Sequence, residues 1–280
     1  MTEISNIGRF CLTDTNGYII NDAELKNINY EYYKVIEEVM KVYKSHLKND
    51  LHSIYIRGSI PRGLGIHSIS DIDTIAVTTK QPSEIDVQWI DEEEQALTEK
   101  YTCISGIEFS FYWMEDVLQT NHFSIIPFMI KTHSVCVLGD DVSELLPDYK
   151  ADKTLGNEHL VNLWEQIELA KEDLIGNEDK EDILDCCRWI MKIIVRSGLA
   201  LVIEKEHKYT RDLFPAYKLF SDYYPEKESA MKQALKYAIE PVEDPKELVD
   251  YLNKMGPWMT KEAEKWLQVH NPKKLRNMPI

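Results

Sequence analysis

Two aspartates, Asp71 and Asp73, stand two residues apart in the run Ser70-Asp71-Ile72-Asp73-Thr74-Ile75-Ala76-Val77. Side chains on a strand alternate with a period of two, so both carboxylates face one side of an extended chain and can share a metal ion. The apolar Ile72, Ile75, Ala76 and Val77 predict a buried strand. Two unpaired carboxylates would be costly there unless cations or hydrogen-bond donors offset them. Magnesium held by paired carboxylates together with substrate phosphates is the usual arrangement for phosphoryl and nucleotidyl transfer. The structural alternative is that Asp71 caps a turn and Asp73 accepts from backbone amides.

The residues upstream favour the chemical reading. Ser53-Ile54-Tyr55-Ile56 reads as a strand running into Arg57-Gly58-Ser59, a step where no bulky side chain keeps a phosphate from the backbone. Turn N–H groups and the Ser59 hydroxyl are suitable donors for a triphosphate. Pro61, Arg62, Gly63 and Gly65 continue the turn, and the planar guanidinium of Arg62 could grip phosphate oxygens. A Gly-Ser turn taken alone is more often a plain loop. His67, inside the same loop, is more simply a solvated turn histidine.

Gly58-Ser59, then eleven residues, then Asp71-Ile72-Asp73 on an apolar strand resembles the signature of the polymerase-β-like nucleotidyltransferase superfamily. Gly-Ser-x-x-Arg-Gly followed by Ser-Asp-Ile-Asp is most similar to its small bacterial members, the aminoglycoside and minimal nucleotidyltransferases. The resemblance implies an α/β fold, a small mixed sheet backed by helices. It also implies transfer of a nucleoside monophosphate, AMP from ATP being the first choice, to an acceptor hydroxyl, with two magnesium ions and release of pyrophosphate. Gly58, Ser59 and Arg62 become nucleotide-binding candidates, and Asp71 and Asp73 catalytic, metal-holding ones.

A third carboxylate is expected in that family on a later strand. In Ile107-Glu108-Phe109-Ser110-Phe111-Tyr112 the alternation sets Ile107, Phe109 and Phe111 on one face and Glu108, Ser110 and Tyr112 on the other. Glu108 would then complete the metal site or take the proton from the acceptor hydroxyl; its alternative is a solvent-facing Glu on a half-exposed strand. Glu115 and Asp116 follow closely and are less constrained.

These residues need a scaffold, and the chain changes character near residue 150. Before it lie short β-rich runs at 53–57, 72–78, 107–113 and 134–138, with an amphipathic helix at 31–47 to pack on the sheet. After it the pattern is helical: 157–174, 179–203, 211–221, 226–239, 245–253 and 261–269, punctuated by Gly176, Pro225, Pro241, Pro245 and Gly256. The expectation is a catalytic domain over 1–150 and an all-α domain over 151–280. The acidic run Asp91 to Glu94 reads as a solvated helix start or loop.

The helical half holds its own candidates. Arg188, Lys192 and Arg196 recur at i+4 spacing on an otherwise apolar helix, a stripe that needs anions. A triphosphate could supply them, or Asp185, three residues before Arg188, could pair locally. Lys208-Tyr209-Thr210-Arg211 reads as the start of the next helix with Thr210 as N-cap. By its place in the architecture it resembles segments that contact nucleotide in relatives, through Lys208, Tyr209 and Arg211; Tyr209 could equally be a core anchor.

Charge and composition limit the partners. Net charge is −16, with 12 basic and 24 acidic residues up to Lys150 and 20 and 24 beyond. An acidic surface repels polyanions, so nucleic acid is a disfavoured partner, while a cationic small molecule would be drawn in. No run of about 18 apolar residues occurs and the first nine residues lack the marks of a secretory leader, so a cytoplasmic protein without a membrane partner is expected. Five cysteines, odd in number and without a Cys-x-x-Cys pair, indicate neither a disulfide framework nor a zinc knuckle. No sequence feature bears on oligomeric state. The leading function is nucleotidyl transfer to a small, aminoglycoside-like acceptor, an activity that would confer antibiotic resistance. The alternatives are transfer to a protein or a nucleic-acid end, and a non-catalytic, antitoxin-like partner of the same fold.

Overall fold

The computed structural model describes residues 7–280. They divide into two compact units. One comprises Leu12–Asp14, Tyr18–Tyr149 and Ile280; the other comprises the described residues up to Cys11, Thr15–Gly17 and Lys150–Pro279.

The first unit is a small mixed sheet backed by helices. Its elements in chain order are α1 (Tyr30–Leu47), β1 (Leu51–Arg57), β2 (Ile72–Thr78), α2 (Ile90–Lys100), β3 (Ile107–Glu108), β4 (Phe111–Trp113), α3 (Met114–Leu118), α4 (Ile125–His133) and β5 (Ser134–Gly139). β1 pairs antiparallel with β2 on one side and β5 on the other, while β3 and β4 pair in parallel with the start and the end of β2.

Helix α1 begins where the Asn29 side chain accepts from the Tyr30 amide. Its buried Tyr32, Val35, Ile36, Val39, Tyr43 and Leu47 follow the 3.6-residue period and cluster with Ile54 and Ile56 of β1 and Ile72 and Ala76 of β2. Each fully buried aliphatic contributes about 1.5–3 kcal/mol. Of the acidic run expected to be a solvated helix start or loop, Asp91, Glu92 and Glu93 fill the first turn of α2, where negative charge suits the helix dipole, while Glu94 is partly buried.

The strand expected over 107–113 is interrupted. Phe109 and Ser110 separate β3 from β4, and the Phe109 amide donates to Glu94 Oε1 at 2.7 Å instead of to a neighbouring strand. Burial holds the Glu94 carboxyl above its usual range, against the opposing effect of that hydrogen bond.

The second unit is helical: α5 (Lys153–Leu160), α6 (Leu163–Leu174), α7 (Lys180–Ala200), α8 (Ile203–Glu206), α9 (Leu213–Tyr223), α10 (Glu228–Ile239) and α11 (Pro245–His270). α7 is central and touches α5, α6, α9, α10 and α11. Its buried stripe runs through Ile183, Cys187, Ile190, Ile194 and Val195.

Three boundaries differ from the sequence pattern. The helix expected over 157–174 begins earlier, because Asp152 caps the Thr154 amide, and breaks into α5 and α6 at Val161 and Asn162. The helices expected over 245–253 and 261–269 are one, α11, running through Gly256 and Pro257. A Cβ on Gly256 would come within 3.1 Å of Ile167 Cγ2, so this glycine serves close packing of α11 on α6 and does not end a helix. Thr210 is not the cap of α9, which starts after Asp212; the Thr210 hydroxyl accepts from the Asp212 amide and donates to the Arg9 carbonyl.

Candidate active site

The site residues gather at the end of β1 and the start of β2. In the ladder Arg57 lies opposite Asp73, and Asp73 lies beside Glu108 on β3, so three charged positions form one row across three strands. Residues 16 and 51 positions from Arg57 in the chain have thus become neighbours by strand register. The alternation reaches back past the strand: Asp71 is exposed, Ile72 buried, Asp73 partly exposed and Thr74 buried.

The carboxylates are more accessible than a buried strand suggests. Ile72 and Ile75 to Val77 are buried as expected, but Asp71 precedes β2 and is exposed, and the Glu108 side chain keeps 53% of its surface. Glu108 points away from the core that takes Ile107 and Phe109, and Phe111 packs against that core.

Sequence reasoning missed Arg57. Its Nη2 donates to Glu108 Oε2 at 2.9 Å and its Nη1 lies 3.3 Å from Asp73 Oδ2, so one guanidinium spans two carboxylates on different strands. The only signal available was its place immediately before Gly58-Ser59.

Gly58 has a positive φ of 89°, and a Cβ there would lie 2.8 Å from Asp73 Oδ2. Glycine is required both by backbone conformation and by the approach of that carboxylate. Ser59 leads into a short 3-10 turn, Ile60–Arg62, closed by Gly63 in the left-handed region. The Ser59 hydroxyl donates to Ser70 Oγ at 3.1 Å, and the same Oγ accepts from the Ile66 amide at 2.9 Å, tying the two ends of the loop together. Further pins are the Ser68 hydroxyl on the Thr102 carbonyl and His67 Nδ1 on Glu31 Oε2, so His67 is a paired residue although exposed.

Behind the row, Thr74 Oγ1 donates to the Glu108 carbonyl at 2.7 Å, and the Tyr43 hydroxyl lies 2.6 Å from Thr74 Oγ1 and 2.9 Å from the Ser110 carbonyl. Burial pushes the Tyr43 phenol well above its ordinary value, which keeps it neutral. These buried groups bridge the interruption between β3 and β4 and hold the Glu108 backbone beside β2.

Arg62 departs from its expected role. Its side chain is 3% exposed and its Nε donates to Asp22 Oδ1 at 2.9 Å, so it braces the turn from inside instead of presenting a fork to phosphate.

The helical candidates belong to the other unit. Arg188 is exposed and pairs with Asp185 at 2.6 Å, the local partner that the spacing offered. Lys192 is partly exposed, as is Arg211; Arg196 Nη2 donates to the Arg211 carbonyl at 3.4 Å. Lys208 is exposed and pairs with Glu206 at 2.9 Å. Tyr209 is 1% exposed and sits against His159, its hydroxyl 3.3 Å from His159 Nε2, which makes it the core anchor. Burial, then Arg211 and Arg196, hold the His159 imidazole down at about 3.

No family model matches the chain, and no curated protein sequence does. Among solved structures it is similar to spectinomycin adenyltransferase AAD(9) from Enterococcus faecialis, determined with ATP and spectinomycin. Sequence identity is 16%, the TM-score is 0.50, and the match covers 83% of this chain and 99% of that one. The likeness is one of fold: a small mixed sheet followed by a helical unit.

The donor set of the site is all oxygen and anionic, the chemistry that a hard divalent cation takes. Asp73 and Glu108 both lie against one positive group, Arg57. Among the described residues, no three His, Cys, Asp or Glu side chains stand close enough to hold a metal as they are. All five cysteines are free, and no described helix is long and apolar enough to cross a membrane.

Proposed function

We propose that this protein is a magnesium-dependent nucleotidyltransferase that moves AMP from ATP to a hydroxyl of a small cationic acceptor, releasing pyrophosphate. The observation that carries the reading is the row in which Asp73 and Glu108 become neighbours across β2 and β3 beside Gly58, within a fold shared with an adenyltransferase. Residues 1–150 are proposed as the catalytic domain and 151–280 as a helical domain.

Asp71, Asp73 and Glu108 are the residues that would hold magnesium. Bound there, the metal would neutralise phosphate charge and favour departure of pyrophosphate. Glu108, the most open of the row, is proposed to accept the proton of the attacking hydroxyl. Gly58 leaves the carboxylate of Asp73 its room, and the loop closed by Ser59 and Ser70 offers a compact turn to the triphosphate.

The acceptor is argued from charge and from the relative. An excess of 12 acidic residues in the first 150 favours a cation over a polyanion, and the similar enzyme was solved with spectinomycin. The test incubates the purified protein with labelled nucleoside triphosphates, magnesium and a panel of aminocyclitols, aminoglycosides, proteins and oligonucleotides. Label from ATP should pass to a cationic small molecule, with pyrophosphate formed in equal amount. Asp73→Asn should abolish this transfer and the magnesium dependence of ATP binding followed by calorimetry. Transfer only to oligonucleotides, or full activity in the variant, would overturn the proposal.

A further inference from the structure

The row of charges contains a cation of its own, and its position has a chemical consequence. Arg57 is the last residue of β1, and its side chain is only 17% exposed. Its two terminal nitrogens reach two acids on two other strands, Asp73 at 3.3 Å and Glu108 at 2.9 Å. A guanidinium is a planar fork whose donors are held in a fixed geometry, so this bridge is defined in shape.

The lone pairs that Arg57 engages belong to the carboxylates that the proposed function assigns to a divalent ion. A cation entering between Asp73 and Glu108 must displace the Arg57 N–H from Glu108 Oε2 and its charge from beside Asp73 Oδ2, and then remain near a positive guanidinium. Two like charges a few ångströms apart in a partly solvated site repel appreciably. The cost falls once a polyphosphate is present, because the displaced fork then has anionic oxygens to grip.

Resting on the reading of Asp73 and Glu108 as metal-holding residues, we infer that Arg57 is a resident counter-cation that keeps divalent metal weakly bound until a nucleotide arrives. Arg57 thereby orders the loading of the site: nucleotide and metal enter together, and the free protein does not collect metal on its acids. It is a positioning residue, acting through the carboxylates it bridges. A brace serving only the fold would make a different prediction, because its removal would loosen the strand ends and leave metal affinity unchanged or lower.

The test titrates the full-length protein with Mn²⁺ alone, followed by electron spin resonance of the free ion, and then repeats the titration with a non-hydrolysable ATP analogue. Arg57→Met, which keeps the aliphatic stem, should bind Mn²⁺ alone roughly 10-fold more tightly than wild type, the size expected for removing one charge beside a divalent ion. The gain in Mn²⁺ affinity produced by the nucleotide should shrink correspondingly. Arg57→Gln, neutral but still polar, must move in the same direction and serves if the Met variant fails to fold. Unchanged or weaker Mn²⁺ binding in a folded neutral variant overturns the inference. Asp73→Asn separates it from the reading beneath. Loss of Mn²⁺ binding there with no gain at Arg57 leaves the metal site standing and removes Arg57 from its control. Unchanged binding in Asp73→Asn overturns the metal site and the inference together.

Discussion

Arg57 in the sheet unit and the candidate cations Arg188 and Lys208 in the helical unit are held in different ways. In the sheet unit, Arg57 spans Asp73 and Glu108, partners brought from distant parts of the chain by strand register. In the helical unit, Arg188 has Asp185 three residues away and Lys208 has Glu206 two residues away, pairs that a single turn or loop supplies. Exposed local pairs contribute about 0–1 kcal/mol and are ordinary surface chemistry. A cation shared by two acids on different strands requires the whole sheet to be in register, and that is the more specific arrangement. A basic stripe legible in the sequence therefore says less about a site than one arginine that no motif singled out.

The largest expected effect probes the acid end of the row. Glu108→Gln keeps the shape and removes the basicity, so turnover should fall roughly 10²–10⁴-fold, the usual share of general-base catalysis, with ATP affinity little changed. Steady-state rates and calorimetry on the same preparation check this. A parallel loss of ATP and metal affinity would make metal holding, and not proton transfer, the main role of Glu108. Near-normal turnover in a folded variant would remove it from the chemistry and make Glu115 the next acid to test.

A smaller effect is expected in the helical unit, where the contrasting feature is a charge kept out. Burial, reinforced by Arg211 and Arg196, lowers the His159 pKa from 6.5 to about 3. Between those values the unfolded chain takes up a proton that the folded chain refuses. The stability contribution is therefore intact above pH 6.5 and is lost as pH falls toward 3, with a slope of at most about 1.4 kcal/mol per pH unit. Denaturant unfolding at pH 7.5 and 5.5 should show a larger loss for wild type than for His159→Gln. Equal losses would mean that His159 is not the group responsible.

The smallest effect tests the stripe. Arg188→Ala should change stability by less than about 0.5 kcal/mol and ATP affinity by less than about 2-fold, since its local pair is exposed. A tenfold loss of ATP affinity would make Arg188 a phosphate contact and narrow the difference between the two units.

Much of the scaffold was legible because its signals are local. The period of α1, the alternation through Ile72-Asp73-Thr74, the glycine at position 58 and the helical run beyond residue 150 all follow from neighbours within a turn or a pleat. Interruptions were less legible. Gly256 reads as a helix end in sequence, yet contact with Ile167 on another helix makes it a packing residue inside α11. The strand over 107–113 breaks because Glu94, from α2, takes the Phe109 amide.

By itself the sequence determined which residues carry charge, which strand and loop types surround them, and that Asp71 and Asp73 share one side of the chain. Tertiary structure decided the partners. It set Glu108 beside Asp73 through parallel pairing of β3 with β2, laid Arg57 across both, turned Arg62 inward onto Asp22 and buried Tyr209 against His159. Periodicity constrains the direction of a side chain relative to its own neighbours, whereas its ionic partner depends on strand register and packing between residues tens of positions apart.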